Sequence, residues 1–238
     1  MLSKFKNRSN KLERIDTGDY TIDEYERFLC EIAFINKYLG DGRALRKTLL
    51  SEIDKAGLKQ FSVLDVGAGS GHLLRQVAEF ASRSGRQATL TGLDLNEISA
   101  AAIKRDSASF SNISTIRGDA LNIPLADNSF DYAISSLFFH HLTDGQIVLA
   151  LKEMSRVARR GIFVIDLYRH PAAYALYQLF CTAFRISPLV REDGLLSILR
   201  GFKPNELREQ LGVSGLGTIK VERRMPFRVV ISTMRWPK

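Results

Sequence analysis

Between Val63 and Leu74 the chain places glycine at alternate positions, Asp65-Val66-Gly67-Ala68-Gly69-Ser70-Gly71-His72, directly after an apolar run. Glycine adopts backbone conformations closed to other residues and lets a ligand lie against the main chain. A helix opening there offers unpaired N–H groups and a positive dipole end to a carboxylate or phosphate. The stretch therefore has the makings of a cofactor cradle. A dinucleotide fingerprint needs glycine at the sixth position of G-x-G-x-x-G, and counted from Gly67 that position is His72. The spacing counts against hydride transfer. Asp94, in Gly92-Leu93-Asp94-Leu95, closes a second apolar run and can accept both hydroxyls of a ribose, for a nicotinamide dinucleotide or another adenosine cofactor alike. A third acid, Asp119 in Gly118-Asp119-Ala120, precedes Asn128-Ser129-Phe130-Asp131.

Imidazoles are the other chemistry-bearing groups. His140 and His141 follow Ser135-Ser136-Leu137-Phe138-Phe139, and His170 follows Asp166-Leu167-Tyr168-Arg169. A neutral imidazole with a pKa of about 6.5 can take the proton of a phenol or enol with a pKa of about 10. All three are candidate catalytic groups, with packing or a cofactor-side contact the alternative for His141. Cys30 and Cys181 lie far apart and outside any paired metal-ligand spacing. That predicts no metal site and no disulfide, and fits a reducing, cytoplasmic setting.

The elements that must position these groups alternate. Ile22 to Ile53 has helical periodicity, with Asp41 and Gly42 marking a break. Strand candidates are Ser62–Val66, Thr89–Leu93, Ile113–Arg117, Phe130–Ser135 and Gly161–Asp166, separated by segments long enough for crossover helices. Alternating strands and helices imply an α/β, doubly wound, mostly parallel sheet. A short helix, Asn205–Leu211, then leads to Thr218–Arg224 and Phe227–Met234, expected as a terminal antiparallel hairpin. The predicted organisation is a helical N-terminal lid over 1–60 and a core over 61–238, with 168–203 inserted as an apolar cover.

Taken in order, Asp65-x-Gly67-x-Gly69-x-Gly71, Asp94, Gly118-Asp119-Ala120 and Asn128-Ser129-Phe130-Asp131 resemble the class I S-adenosylmethionine-dependent methyltransferases, of the small-molecule, ubiquinone- and menaquinone-biosynthesis type. The likeness spans residues 62 to about 166. It implies a Rossmann-like, seven-stranded fold and S-adenosylmethionine as cofactor, leaving as S-adenosylhomocysteine. It also implies that Gly67, Gly69 and Gly71 line the cofactor, that Asp65 orients its amino end, that Asp94 takes the ribose and that Asp119 faces the adenine. Ala68, Leu95, Ala120 and Ser135 complete the implied cofactor contacts. Asp131 is read apart from the site, as a local cap or pairing group. After strand four many relatives end the next helix with Arg-Val-Leu-Lys-Pro-Gly-Gly, where this chain has Arg156-Val157-Ala158-Arg159-Arg160-Gly161.

Methyl transfer is an in-line displacement in which the protein chiefly holds a nucleophile about 3 Å away and aligned. Pro171 to Phe184 is apolar almost all round if helical, which suits core, a hydrophobic substrate lid, or a membrane or partner contact. The expectation is methylation of an apolar small molecule, phenolic, quinone-like or polyketide-derived, with oxygen favoured as acceptor. With 238 residues, 45% apolar and 25% charged, the composition excludes disorder over most of the chain. A net charge of +8 permits an acidic partner. An RNA methyltransferase is accordingly one alternative, although the chain lacks an Asn-Pro-Pro-Tyr motif and an RNA-binding module. A non-catalytic cofactor-binding protein is another. Most of the excess charge lies in residues 200–238, expected as a solvated basic face. No apolar run reaches the length of a membrane span, and a homodimer is allowed.

Overall fold

Short apolar runs joined by crossovers pair into one sheet. The computed structural model describes residues 2–39, 41–212, 215 and 218–234. Its strands are β1 (Gln60–Val66), β2 (Gln87–Asp94), β3 (Ile113–Arg117), β4 (Phe130–Ser136), β5 (Ala158–Leu167), β6 (Lys220–Arg224) and β7 (Arg228–Met234). They form a seven-stranded sheet in the order β3-β2-β1-β4-β5-β7-β6. Strands β1 to β5 run parallel, and β7 lies antiparallel between β5 and β6. This is the doubly wound, mostly parallel architecture with a terminal hairpin that the alternation predicts. Strand β5 is longer than expected because Ala158 to Arg160 extend it, and β6 starts at Lys220 rather than Thr218.

Ten α-helices accompany the sheet among the described residues: α1 (Arg14–Thr17), α2 (Ile22–Leu39), α3 (Asp41–Leu45), α4 (Ser51–Lys55), α5 (His72–Arg83), α6 (Glu97–Asp106), α7 (Asp144–Val157), α8 (Pro171–Ala183), α9 (Pro188–Arg200) and α10 (Pro204–Gly212). Their starts are chemically marked. Asn96 caps α6 by accepting from the Ile98 N–H at 2.9 Å, and Thr143 and Gln146 form a capping box on α7. The helical N-terminal stretch is interrupted between α2 and α3, and Asp41 starts a helix rather than ending one; α3 continues through a wide turn, Arg46–Leu50, into α4. Leu45, Leu49 and Ile53 from this stretch are fully buried with Val63, Leu74 and Leu90 on one face of the sheet. The other face is covered by α7 and α10 through Ile147, Leu151, Met154 and Leu207.

Residues 5–16 form a strap across the C-terminal ends of β4 and β5, held by three arginines. Arg169, whose side chain is 0% exposed, donates to the carbonyls of Phe5 and Gly201 and to the Glu206 carboxylate. Arg8 reaches the carbonyls of His140, Leu142 and Arg200, and Arg200 reaches that of Lys11 and the Asp16 carboxylate. Arg200 and Arg228, expected on a solvated basic face, are instead buried, Arg228 against Asp41. The reason is that each has an acid and carbonyls to satisfy it, without which burial would be prohibitive. Arg235 and Lys238 of the same stretch lie outside the described residues. Among the described residues no helix is long and apolar enough to cross a membrane.

Candidate active site

In an open α/β sheet the ligand crevice lies beyond the strand ends where the strand order reverses. Here that is between β1 and β4, and a cavity of about 1250 Å³ opens there. One end is walled by the turn after β1 and the loops after β2 and β3; α2 and α8 supply apolar walls, among them Phe28, Ile32, Leu176 and Phe180.

At the turn, Gly67, Gly69 and Gly71 have φ of +71°, +54° and +73°, which only glycine adopts without strain. A side chain at Gly67 would collide with the Phe138 ring, and one at Gly71 would press on Ile103. At Gly69 a Cβ would meet nothing within 4 Å, so this residue faces the cavity with bare backbone. Asp94 holds the turn in place: its two carboxylate oxygens accept from the N–H groups of Gly69 and Asn96, each at 2.9 Å. Burial raises its pKa, and the backbone donors oppose that shift. Asp65 is buried beside it. Its Oδ1 has no hydrogen-bond partner among the described residues, and burial, with the nearby Asp94 charge, pushes its pKa up to about 7. Leu95 is 64% exposed and presents an apolar surface to the cavity, while Asp119 stands at the rim and accepts from the Leu121 N–H. Ala68 and Ala120 also line it. Ser135 does not; its hydroxyl donates to the Val66 carbonyl at 2.7 Å, and the neighbouring Ser136 faces the cavity instead. Asp131 sits apart, accepting from Ser62, Arg159 and Arg160.

The other end of the cavity is polar and buried. Asp166, at the end of β5, accepts from the Leu167 and His140 backbone N–H groups and from His140 Nδ1, the last at 2.8 Å. Burial would raise its pKa, but His140 and the backbone N–H of Leu167 hold it below the ordinary carboxylate range. An ionised Asp166 accepts the proton on His140 Nδ1, so that in the neutral form of the ring the lone pair is on Nε2, the nitrogen turned toward Glu13. The His141 ring lies 4.2 Å from that of His140 and its Nδ1 is 2.7 Å from Asp16 Oδ1. Asp16 is partly buried, which alone would raise its pKa, yet His141 and Arg200 bring it down to about 2. His170 is elsewhere: it caps α8 by accepting from the Ala172 N–H and stacks between Tyr168 and Phe227, away from the cavity lining.

The strap contributes Glu13 to this cluster, a residue that no sequence motif marks. The only local cue is the spacing Glu13-x-x-Asp16 before a short helix, where the Glu13 N–H donates to Asp16 Oδ2. Glu13, His140 and His141 each bring one potential ligand atom within 4.8 Å of the others. A divalent cation there would face the Arg200 guanidinium, 3.6 Å from Glu13 Oε1, and displace the Asp16–His141 bond. The arrangement suits proton exchange better than metal coordination.

S-Adenosylmethionine carries an ammonium, a carboxylate, ribose hydroxyls and an adenine amine. An unpartnered buried carboxylate at Asp65, bare backbone at Gly69 and a carboxylate at Asp94 fit the amino acid and ribose portions. Turn, strand order and crevice together are those of the class I S-adenosylmethionine-dependent methyltransferases. Residues 63–161 match the family described as a methyltransferase domain. Over 128 residues the chain is 33% identical to a demethylmenaquinone methyltransferase of Staphylococcus epidermidis, covering 53% of this chain and 51% of that protein. A Staphylococcus aureus protein of the same name is 30% identical over the same length. The chain thus spans about half the length of the curated relatives it matches. Among solved structures, an S-adenosylmethionine-dependent methyltransferase from Aquifex aeolicus superposes with a TM-score of 0.60 at 19% identity, covering 90% of this chain and 98% of that one. Human N-acetylserotonin methyltransferase gives 0.63 at 18% identity, covering 90% and 56%. At such identities the likeness is one of fold.

Proposed function

We propose that the protein transfers a methyl group from S-adenosylmethionine to a hydrophobic small molecule bearing an acidic hydroxyl, phenolic or quinone-like, with oxygen as the methylated atom. The observation that carries this reading is the His140–Asp166 pair, opening with a free Nε2 onto an apolar cavity whose opposite end is the glycine turn. When bound, the cofactor supplies an electrophilic methyl on a sulfonium. Gly69 exposes main chain to it, Asp65 pairs with its ammonium and Asp94 accepts from its ribose. Phe28, Leu176 and Phe180 exclude water and bury the acceptor's rings. His140 takes the hydroxyl proton at Nε2, Asp166 stabilises the resulting imidazolium, and the phenolate so formed is the nucleophile. His141 holds Asp16 and steadies the strap. Methylation at ring carbon is the second reading, because an ionised hydroxyaromatic is nucleophilic there too and the matched relatives are named for demethylmenaquinone. Two free cysteines, Cys30 exposed and Cys181 buried, favour a cytoplasmic setting.

The test is turnover of methyl-labelled cofactor with a panel of hydroxyaromatics and quinols, with the position of the label read by NMR. Transfer to an apolar member supports the reading and the labelled atom decides between oxygen and carbon. Cofactor binding without transfer to any member would favour a non-catalytic role, and transfer to RNA alone would replace the acceptor class.

A second expectation concerns proton linkage. The ammonium selects the ionised form of Asp65, which in the free protein is protonated below about pH 7. Cofactor affinity is therefore expected to fall as the pH drops from about 7.5 to about 5.5, by up to about tenfold per unit below the carboxyl's midpoint. Calorimetry in buffers of different ionisation enthalpy should show a proton released on binding, and Asp65→Asn should abolish that release. A pH-independent affinity over this range would remove Asp65 from the ammonium.

A further inference from the structure

The acceptor end of the cavity holds a buried carboxylate that the reading above leaves unused. The Glu13 side chain is 2% exposed although it comes from the strap. Its Oε2 accepts from the Ser197 hydroxyl at 2.8 Å, while Oε1 has no hydrogen-bond partner among the described residues and stands 3.8 Å from His140 Nε2. Because ionised Asp166 claims the Nδ1 proton, two lone-pair atoms face each other across that distance beside the cavity. A hydroxyl seated there, about 2.8 Å from the atom it binds, has one proton to give, so it can donate to one of the two and leaves the other to receive that proton later.

We propose that Glu13 is a second catalytic residue, which forms a proton relay with His140 and Asp166 and finally takes the acceptor's proton. The proposal rests on the function proposed above. The acceptor O–H bond breaks and an N–H bond forms at His140 Nε2. The carbon–sulfur bond of the sulfonium breaks as the bond from methyl to acceptor forms, so the positive charge reappears as the imidazolium. Once the methylated oxygen withdraws, the imidazolium and the carboxylate close the 3.8 Å between Nε2 and Oε1 to hydrogen-bond distance, and the Nε2 proton passes to Glu13 Oε1, neutralising the carboxylate and restoring the base.

The surroundings suit this task. Burial first of all, against the charges of His141 and Arg200, pushes the Glu13 pKa up to about 7, close to that of an ordinary imidazole. The groups that face it are His140 and His141 after β4, Arg200, Asp193 and Ser197 on α9, Asp16 on α1 and Tyr177 on α8. Most are committed elsewhere: Asp16 to His141 and Arg200, Asp193 to the N–H groups of Arg14 and Ile15, and Tyr177 to the Val190 carbonyl. Arg200 Nε, 3.6 Å from Oε1, keeps the ionised form within reach.

Glu13→Gln retains the volume and the bond to Ser197 but cannot accept a proton. With S-adenosylhomocysteine bound, the His140 ring is followed by NMR across the pH range, its signal assigned by its loss in His140→Gln. The expected result is a coupled, two-step titration in the native protein that becomes a single step in Glu13→Gln, with the midpoint lowered by about half a unit or more. The Glu13 carboxyl carbon of the native protein, labelled with carbon-13, should titrate with the same two midpoints, a readout that needs no strap variant to fold. With an acceptor that turns over, Glu13→Gln should lower kcat about 100-fold or more and remove one limb of the pH profile, without changing cofactor affinity. Glu13→Asp should recover part of the rate. Independent titration of the two groups, or a native pH profile in Glu13→Gln, overturns the relay. Coupled titration without turnover of any acceptor supports the relay and fails the function proposed above instead.

Discussion

His140→Gln is expected to lower kcat by about 100- to 10,000-fold while leaving S-adenosylhomocysteine affinity within about twofold of native. The split follows from position. His140 Nδ1 is bound to Asp166 behind it, and none of its hydrogen bonds goes to the glycine turn, to Asp94 or to Asp65. Glutamine can keep a bond to Asp166 but offers no basic nitrogen to the cavity. A hydroxyl with a pKa of about 10 is then mostly protonated at neutral pH and reacts through its small ionised fraction. The residual rate should accordingly rise with pH, about tenfold per unit, where the native enzyme has reached a plateau. Pre-ionised acceptors, such as nitrophenols, should lose far less. A native kcat in His140→Gln with an un-ionised phenol would remove the imidazole from proton transfer.

Gly69→Val is expected to abolish detectable cofactor binding, a loss of at least about 100-fold, while the far-ultraviolet circular dichroism stays native. Two effects add. A β-branched residue at a φ of +54° is strained by about 1–3 kcal/mol, and its side chain would project into the space beside the turn. Because a Cβ there meets nothing within 4 Å, the fold itself has no clash to relieve. Gly67→Val should differ in kind: its Cβ would lie 2.5 Å from the Phe138 ring, so it should lower the melting temperature as well. Loss of binding only alongside global unfolding in Gly69→Val would make that glycine structural.

The cofactor end of the site was legible because its chemistry is local. A strand, a three-glycine turn and the start of α5 lie within a dozen residues, Asp94 ends β2 and Asp119 follows β3, so spacing alone carries them to one edge. The acceptor end was legible only in its imidazoles. Glu13, Asp16 and Arg200 meet there through contacts between residues more than 120 positions apart, and neither the strap nor α9 has a periodicity that announces such contacts. Composition misled in one place. The C-terminal excess of Arg and Lys reads as a solvated face, whereas Arg200 and Arg228 are buried against Asp16 and Asp41, partners that only tertiary packing supplies. His170 misled in another way, since a histidine after a strand resembles a base until Pro171 opens a helix behind it and makes it a cap. Ser135 and Ser136 differ by the pleat alone, and alternation along β4 turns the first toward β1 and the second to the cavity.

The three-arginine clasp has a consequence for how the two halves of the site come into being. The donor end needs β1 to β4 and their crossovers, a run of near neighbours in sequence. The acceptor end is sealed only when a segment close to the start of the chain meets α9, some 190 positions later, as the Arg8–Arg200 link does. Such distant closures carry the largest ordering cost and come late in assembly. The clasp thus ties the closing of the acceptor chamber to a late meeting of residues 8 and 200, whereas the glycine turn is shaped by strands that lie close together in sequence.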